Sequence, residues 1–297
     1  MIERCVRNEL QELDALIGLA SVKKEIGRLV VRLVNERSYR AQGASIFPAQ
    51  RHLVFSGPPG VGKSRVARGF GQICARLGAL EKGHMIIVDH DDLAATRFDR
   101  KVGLMREKCA AALDGILYVK NEAFLAAGIL RSTGDLRLDA VDVMIEFMLR
   151  HRGRIIVVLD TRPNQFDYIS FHSGLARRFT ETIHFAAYDA FELIQILAAK
   201  AQRLGLDLPD GLESDLFPWI AAHSRRSDWR NAREIGDLLS RAVSARAKRS
   251  MRERCADFAG FDRSDFRQAL ASMQTDMSAN TGHSMDIHGR MSPSPLP

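Results

Sequence analysis

Hydrophobic residues gather in short runs along the first two thirds of the chain, and each run is followed by a stretch with helical spacing. The runs cover residues 53–56, 85–88, 116–119 and 155–159, and 183–185 form a candidate fifth run. Short apolar runs bounded by turn residues are typical of buried strands, and strands that alternate with helices form parallel sheets. The pattern therefore predicts an α/β fold with helices on both faces of a parallel sheet.

The segments on either side of this region have helical spacing. Before it, apolar residues recur on one side of an amphipathic helix at 21–41. After it, helical spacing continues without strands over residues 190–204, 212–223, 231–250 and 263–272. We therefore expect a small all-helical domain to follow the sheet.

These changes of pattern divide the chain into four predicted segments. An N-terminal helical segment at 1–48 precedes the large α/β domain at 49–188, and the all-helical domain covers 189–272. Residues 273–297 are rich in Ser, Met, Gly, His and Pro, a composition that does not bury enough apolar surface to order a chain. The sequence therefore predicts a disordered tail over these last residues.

The glycine-rich segment at residues 57–64 carries the strongest chemical signal. It reads Gly57-Pro58-Pro59-Gly60-Val61-Gly62-Lys63-Ser64, which fits the phosphate-loop pattern G-x-x-x-x-G-K-[ST] at every fixed position. A predicted strand precedes the segment and a predicted helix follows it, so that backbone N–H groups and a helix N-terminus surround the phosphates. Lys63 is expected to contact the β- and γ-phosphates, and the Ser64 hydroxyl to bind Mg²⁺. The predicted nucleotide-binding residues of this segment and the position after it are Pro59, Gly60, Val61, Gly62, Lys63, Ser64 and Arg65.

Composition narrows the class of protein further. The chain has a formal net charge of +7, but acids alternate with the arginines of its basic region at 225–254 and no aromatic ladder accompanies them, which argues against direct nucleic-acid binding. No apolar run approaches the roughly 18 residues of a membrane span. The N-terminus lacks the apolar stretch of a secretory signal. We therefore expect a cytoplasmic protein without a membrane partner.

Several further segments, in order along the chain, carry a family resemblance. Residues 16–19 read Leu-Ile-Gly-Leu, 115–119 read Gly-Ile-Leu-Tyr-Val, 174–179 read Gly-Leu-Ala-Arg-Arg-Phe, and 231–233 read Asn-Ala-Arg. Together with the phosphate loop they resemble AAA+ ATPases, and in particular the CbbX-type red Rubisco activases, sporulation stage V protein K and the type VII secretion ATPases. The matches span about residues 13–250 in the family's order, whereas the phosphate loop alone identifies only the wider P-loop NTPase class.

The resemblance implies ATP and Mg²⁺ as ligands and a role for each matching residue. Leu16, Ile17 and Gly18 would form an apolar strip against the adenine. Arg178 matches the arginine finger, which contacts the nucleotide of a neighbouring subunit, and Arg233 matches the second sensor of the helical lid domain. By the same resemblance, the chain would assemble with identical or related AAA+ subunits into a ring and act on a client protein.

The end of the third predicted strand departs from the family pattern. Family members have Asp-Glu here, where the Asp supports Mg²⁺ and the Glu activates water, whereas this chain continues Lys120-Asn121-Glu122-Ala123-Phe124. Aligned without a gap, Lys120 and Asn121 replace both acids, and the Walker B segment is degenerate. Aligned with one inserted residue, Glu122 keeps the position of the catalytic base. Neither alignment supplies the metal-supporting aspartate.

Three other positions depart as well. The pore loop that grips a substrate polypeptide in the family falls on residues 94–100, which lack its glycine and carry Phe98 as their aromatic residue. The fourth strand ends in Leu-Asp-Thr-Arg at 159–162, so the first sensor is altered. Ala176 replaces the first arginine of the family's Arg-x-Arg pair, which leaves Arg178 as the finger.

These features lead to one main hypothesis and three alternatives. The main hypothesis is an ATP-binding, chaperone-like remodelling subunit with weak hydrolysis that regulates an active paralogue. One alternative is a fully active ATPase that uses Glu122 as its base. The others are a scaffold that ATP stabilises without turnover, and a nucleic-acid-associated AAA+ protein that uses its basic lid.

Overall fold

Five parallel strands form the centre of the first of two units in the computed structural model. The structure describes residues 7–43, 51–94, 98–120, 140–163, 173–179, 181–253 and 260–284. The first unit comprises Met1–Ala187 and the second comprises Tyr188–Pro297. Within the described ranges, no helix is both long enough and apolar enough to cross a bilayer.

In the first unit, strands and helices alternate along the chain. In order, the elements are α1 (Arg7–Asp14), α2 (Ala20–Ala41), β1 (Leu53–Ser56), α3 (Lys63–Arg76), β2 (Met85–Val88), α4 (His90–Ala94), α5 (Phe98–Ala111), β3 (Gly115–Lys120), α6 (Ala140–Arg150), β4 (Ile155–Thr161), α7 (Ser173–Ala176) and β5 (Glu181–His184). The strands pair in parallel in the order β2-β3-β4-β1-β5. The register places Lys120 beside Asp160 across β3 and β4, and Asp160 beside Phe55 across β4 and β1.

Burial explains why the strands are continuous apolar runs and not alternating sequences. Successive residues of β1, β3 and β4 are buried, so both faces of the central sheet are covered, as parallel sheets require. On one face, Leu117 and Val157 belong to a buried cluster that includes Met105 of α5 and Met144 of α6. Helix α3 packs against β2 and β3. The predicted fold class is confirmed, and each of the five predicted strands overlaps an observed one.

The second unit is helical where the structure describes it. Its helices are α8 (Ala190–Arg203), α9 (Glu213–His223), α10 (Ala232–Glu253) and α11 (Arg263–Ser284). A capping box starts the first of them, because the side chains of Asp189 and Glu192 each accept a hydrogen bond from the other residue's backbone N–H. Leu197, Trp219 and Phe266 belong to the core that these helices enclose.

The last helix differs from the sequence expectation at its end. The sequence predicts a disordered tail from residue 273, but α11 continues to Ser284. Met273 is buried in the core of the second unit, and Arg241 donates a hydrogen bond to Asp276 over 2.7 Å. This apolar anchor and ion pair explain why the helix passes the predicted boundary, which rested on the average composition of the whole segment. Residues 285–297 lie outside the described residues.

Candidate functional site

The glycine-rich segment connects β1 to α3 in a conformation that needs its glycines. A side chain at Gly57 would place its Cβ 2.5 Å from the carbonyl oxygen of Phe185 and 2.7 Å from that residue's Cβ, so only glycine fits. Gly60 and Gly62 have φ angles of 78° and 93°, in the left-handed region that favours glycine. The segment therefore forms a tight loop directly before Lys63, the first residue of α3.

The N-terminus of α3 faces this loop. Gly62 is the N-cap, and its carbonyl accepts hydrogen bonds from the N–H groups of Arg65 and Val66 over 3.0 Å. The first N–H groups of a helix lack partners within the helix and carry partial positive charge, which suits an anion. The loop and the helix terminus thus fit a triphosphate. Ser64, the second residue of α3, is half-buried and could hold Mg²⁺, which would supply charge neutralisation of the phosphates.

Lys63 is enclosed by oxygen atoms at the centre of the loop. Its side chain is only 7% exposed. The ammonium group donates to the carbonyl oxygens of Gly57 and Pro58, the latter over 3.0 Å, and lies 2.9 Å from Oδ1 of Asp160. Three oxygens therefore hold the cation that the sequence assigns to the β- and γ-phosphates.

Asp160 is the carboxylate of this arrangement, and it comes from β4. Its Oδ2 accepts a hydrogen bond of 2.6 Å from the hydroxyl of Tyr118 on β3, while its Oδ1 faces Lys63. Sequence reasoning noted that this strand end is altered but did not predict Asp160 as a site residue. The available signal in the sequence is an acid at the end of β4, Asp160, together with the lack of an acid at the end of β3, where Lys120 stands.

Lys120 occupies the last position of β3 and is paired on the side away from β4. Its ammonium group donates to Oδ2 of Asp89, which follows β2. This hydrogen bond holds the pKa of Asp89 below its usual value. Charges therefore alternate in sign across the carboxyl ends of neighbouring strands, from Asp89 through Lys120 to Asp160.

Two predicted functional segments near these strands lie wholly or partly outside the described residues. Asn121 and Glu122 lie outside the described residues, so the choice between the two alignments of the β3 end stays a prediction. The predicted pore loop at 94–100 falls partly outside them too, and the side chain of Phe98 is not among those described.

The predicted adenine strip lies in the turn between α1 and α2. Leu16, Ile17 and Gly18 are half-buried there. Lys23 fixes this turn, because its ammonium group donates to the carbonyl of Asp14 over 2.8 Å and to that of Leu16 over 2.6 Å. These two hydrogen bonds hold the backbone of the turn in place. The contact of the turn with adenine stays a prediction.

The two predicted arginines have different surroundings. Arg178 follows α7, is half-buried, and donates from Nη1 to the carbonyl of Gly174, while its buried Nε has no hydrogen-bond partner among the described residues. Arg233 is exposed in the first turn of α10, in the second unit. Arg178, the predicted finger, thus lies in the first unit, and Arg233, the predicted sensor, lies in the second; both roles stay predictions.

Comparison with protein families gives one match, in the second unit. Residues 189–276 match the model of the AAA lid domain. This range covers the helices α8 to α10 and part of α11.

Curated relatives match most of the chain at low identity. A chloroplastic cbbX homolog of Guillardia theta is 27% identical over 239 residues, which are 80% of this chain and 64% of that protein, just under two thirds of its length. The chloroplastic ribulose bisphosphate carboxylase/oxygenase activase of Cyanidioschyzon merolae is 26% identical over 82% of this chain and 83% of that protein. The ESX-3 secretion system protein EccA3 of Mycobacterium tuberculosis is 31% identical, over 66% of this chain and 31% of that protein.

A solved structure shows the same fold. The AAA domain of FIGL-1 in complex with ADP superposes with a TM-score of 0.55 over 91% of this chain and 89% of that chain, at 14% sequence identity. The matches together confirm the predicted resemblance: the chain has the AAA fold, its residues 189–276 match the AAA lid domain, and it is similar to CbbX-type, activase and EccA3 proteins.

Proposed function

We propose that this AAA+ chain binds ATP with Mg²⁺ and acts in the cytoplasm as a chaperone-like remodelling subunit with weak ATP hydrolysis. One observation carries the proposal: a complete phosphate loop holds Lys63 at its centre, while Lys120 ends the strand where the family has an acid. Triphosphate binding depends mainly on the loop, Lys63 and Ser64, whereas hydrolysis depends on the acids. Binding would therefore persist where turnover is lost.

The pairing of Lys120 supports the weak hydrolysis. Its ion pair with Asp89 holds the cation at the end of β3 as part of the local structure. A general base contributes about 10²–10⁴-fold to the rate of a proton-transfer step, so replacing it with a neutral or positive side chain has a large cost. A loss of rate of this size favours a chain that binds ATP and hydrolyses it slowly.

The relatives support a role on a protein partner. One is named as a ribulose bisphosphate carboxylase/oxygenase activase, and another as a secretion system protein. By analogy with AAA+ proteins, this chain would assemble with identical or related AAA+ subunits into a ring and act on a client protein, as the regulatory partner of an active paralogue.

Ion pairs within the helical unit argue against nucleic-acid binding by its arginines. Several are paired with carboxylates of the same unit: Arg226 with Asp228, Arg230 with Glu234 and Asp237, Arg241 with Asp276, Arg249 with Asp265, and Arg263 with Asp215. A phosphate backbone would have to compete with these internal partners. The net positive charge of the chain is therefore weak support for nucleic-acid binding.

A thermal-shift experiment tests the binding half of the proposal. We expect ATP with Mg²⁺ to raise the melting temperature of the wild type, because a ligand that binds only the folded state stabilises it by about 2.7 kcal/mol at 100 times its Kd. Lys63→Ala should abolish the shift, measured against the melting temperature of the same variant without nucleotide.

The matched control is Lys24→Ala, which removes an exposed lysine from α2. This variant should keep the full shift. A wild-type melting curve that does not move at millimolar ATP would refute the proposed nucleotide binding.

A further inference from the structure

We propose that Asp160 supplies from β4 the carboxylate that β3 lacks, and that it positions Lys63 and supports the Mg²⁺ of a bound nucleotide. The inference rests on the proposed ATP binding and adds a positioning residue to that site. It accounts for a loop that is complete although the strand expected to carry its supporting acid ends in Lys120.

The sheet order brings Asp160 close to the loop. Strand β4 lies between β3 and β1, so its carboxyl end is one strand from the loop, whereas that of β3 is two strands away. The register pairs Asp160 with Phe55, two residues before Gly57. A carboxylate at this position reaches the loop lysine directly, as the distance of 2.9 Å between Oδ1 and the Lys63 ammonium shows.

The two oxygens of Asp160 have separate partners. Oδ1 faces Lys63, and Oδ2 accepts the hydroxyl proton of Tyr118 over 2.6 Å. Tyr118 is buried, so its hydroxyl is a rigid donor that orients the carboxylate. The side chain of Asp160 keeps 22% of its surface exposed, which leaves it accessible to a ligand in the loop.

The neighbouring cation is held on the opposite side. Lys120 lies beside Asp160 in the register, but its ammonium group bonds to Asp89 after β2. Because Lys120 is paired with Asp89, it does not compete with Lys63 for Asp160. The ion pair next to the loop is therefore that of Asp160 and Lys63. Asp160 on β4 would thus take the place of the acid that is missing from the end of β3.

The test compares nucleotide affinity with and without the metal. We expect Mg²⁺ to tighten ATP binding by the wild type, measured as the ratio of Kd in EDTA to Kd in Mg²⁺ by titration of a fluorescent ATP analogue. Asp160→Asn should reduce this ratio by about tenfold or more, because groups that support a metal's ligands contribute 10–100-fold to metal affinity. The Kd in EDTA should change much less.

Two further variants make the result decisive. Tyr118→Phe keeps the carboxylate but removes its orienting hydrogen bond, so it should lower the ratio by a smaller factor, and it serves if Asp160→Asn does not fold. Asp91→Asn makes the same charge change at an aspartate whose side chain is 99% exposed, and it should leave the ratio unchanged.

The outcomes separate this inference from the proposed function. If the wild type fails to bind the analogue in either condition, the proposed function itself is wrong. If the wild type binds and responds to Mg²⁺ but Asp160→Asn and Tyr118→Phe keep its ratio, Asp160 has no role toward the metal. A tighter Kd by the same factor in EDTA and in Mg²⁺ would show that Asp160 only competes with the nucleotide for Lys63, and would also overturn the inference.

Discussion

His52, the residue before β1, is a buried histidine that the fold keeps neutral. Its Nδ1 accepts a hydrogen bond of 3.0 Å from the backbone N–H of Val157, and its ring centroid lies 5.7 Å from that of Phe179. Burial, assisted by the nearby charge of Arg178, lowers the pKa of His52 from 6.5 to about 4. A protonated Nδ1 could not accept this hydrogen bond. The bond between His52 and Val157 therefore requires a neutral imidazole.

This gives a prediction on the stability of the protein in mild acid. Between pH 6.5 and about 4, the unfolded chain binds a proton at His52 and the folded protein does not. The free energy of unfolding should therefore fall as the pH falls through this window, by up to about 3 kcal/mol from this residue. Urea unfolding at several pH values between 7.5 and 4.5 measures the slope.

Substitution isolates the contribution of His52. His52→Asn keeps an acceptor near Nδ1 but cannot titrate, so the pH slope should flatten, whereas the exposed His184→Asn should leave it in place. Equal slopes for the wild type and His52→Asn would contradict the prediction.

The phosphate-loop motif predicts the shape of the segment between β1 and α3, because the residues that form this loop are adjacent in the sequence. The hydrogen bond from Lys63 to Pro58 and the positive φ angles of Gly60 and Gly62 arise within the same eight residues, and the structure shows them in the expected loop. Asp160 was missed because its partner Lys63 is far away in the sequence. Their meeting depends on the sheet order β3-β4-β1, which a pattern of apolar runs does not specify.

The end of β3 gives a testable prediction about ATP hydrolysis. If Lys120 and Asn121 replace the metal-supporting and water-activating acids, then Lys120→Asp combined with Asn121→Glu should raise steady-state ATP hydrolysis by at least roughly tenfold. The change removes a cation and restores a general base. The measurement is phosphate release at saturating ATP.

The alignment with one inserted residue predicts a different outcome. Glu122 would then already act as the base, so Glu122→Gln should abolish a readily measurable wild-type rate and the double replacement should gain nothing. Rapid wild-type hydrolysis that depends on Glu122 would refute the proposal of weak turnover.

The elements themselves were predicted well because their signals are local. The strand at 53–56 matches β1 in both bounds, and the helix expected at 21–41 begins one residue earlier as α2. The extension of α11 to Ser284 was not predicted, because Met273 and Asp276 gain their partners only when the helices of the second unit pack. The average composition of residues 273–297 does not reflect such contacts, so it places the start of the tail too early in the chain.

The loss of strand signals after residue 185 predicts a sheet unit followed by a helical unit. The structure divides the chain between Ala187 and Tyr188. Assembly into a ring depends on contacts between subunits, which the fold of one subunit does not determine. Arg178 is the residue through which this prediction can be tested.

If Arg178 acts on the nucleotide of a neighbouring subunit, its loss should not affect binding within its own chain. Arg178→Ala should leave the ATP affinity of dilute protein within about twofold of the wild type and lower hydrolysis by the assembled protein at least about tenfold. The exposed neighbour Arg177 provides the matched control, and Arg177→Ala should retain both properties.

Mixing two defective variants tests whether the arginine acts between subunits. Subunits with Arg178→Ala bind ATP but lack the finger, and subunits with Lys63→Ala keep the finger but lack ATP. In a shared ring the second kind can supply Arg178 to the nucleotide of the first, so the mixture should hydrolyse ATP faster than either variant alone. If the mixture is no faster, and Arg178→Ala weakens ATP binding by dilute protein, then Arg178 does not act on the nucleotide of a neighbouring subunit.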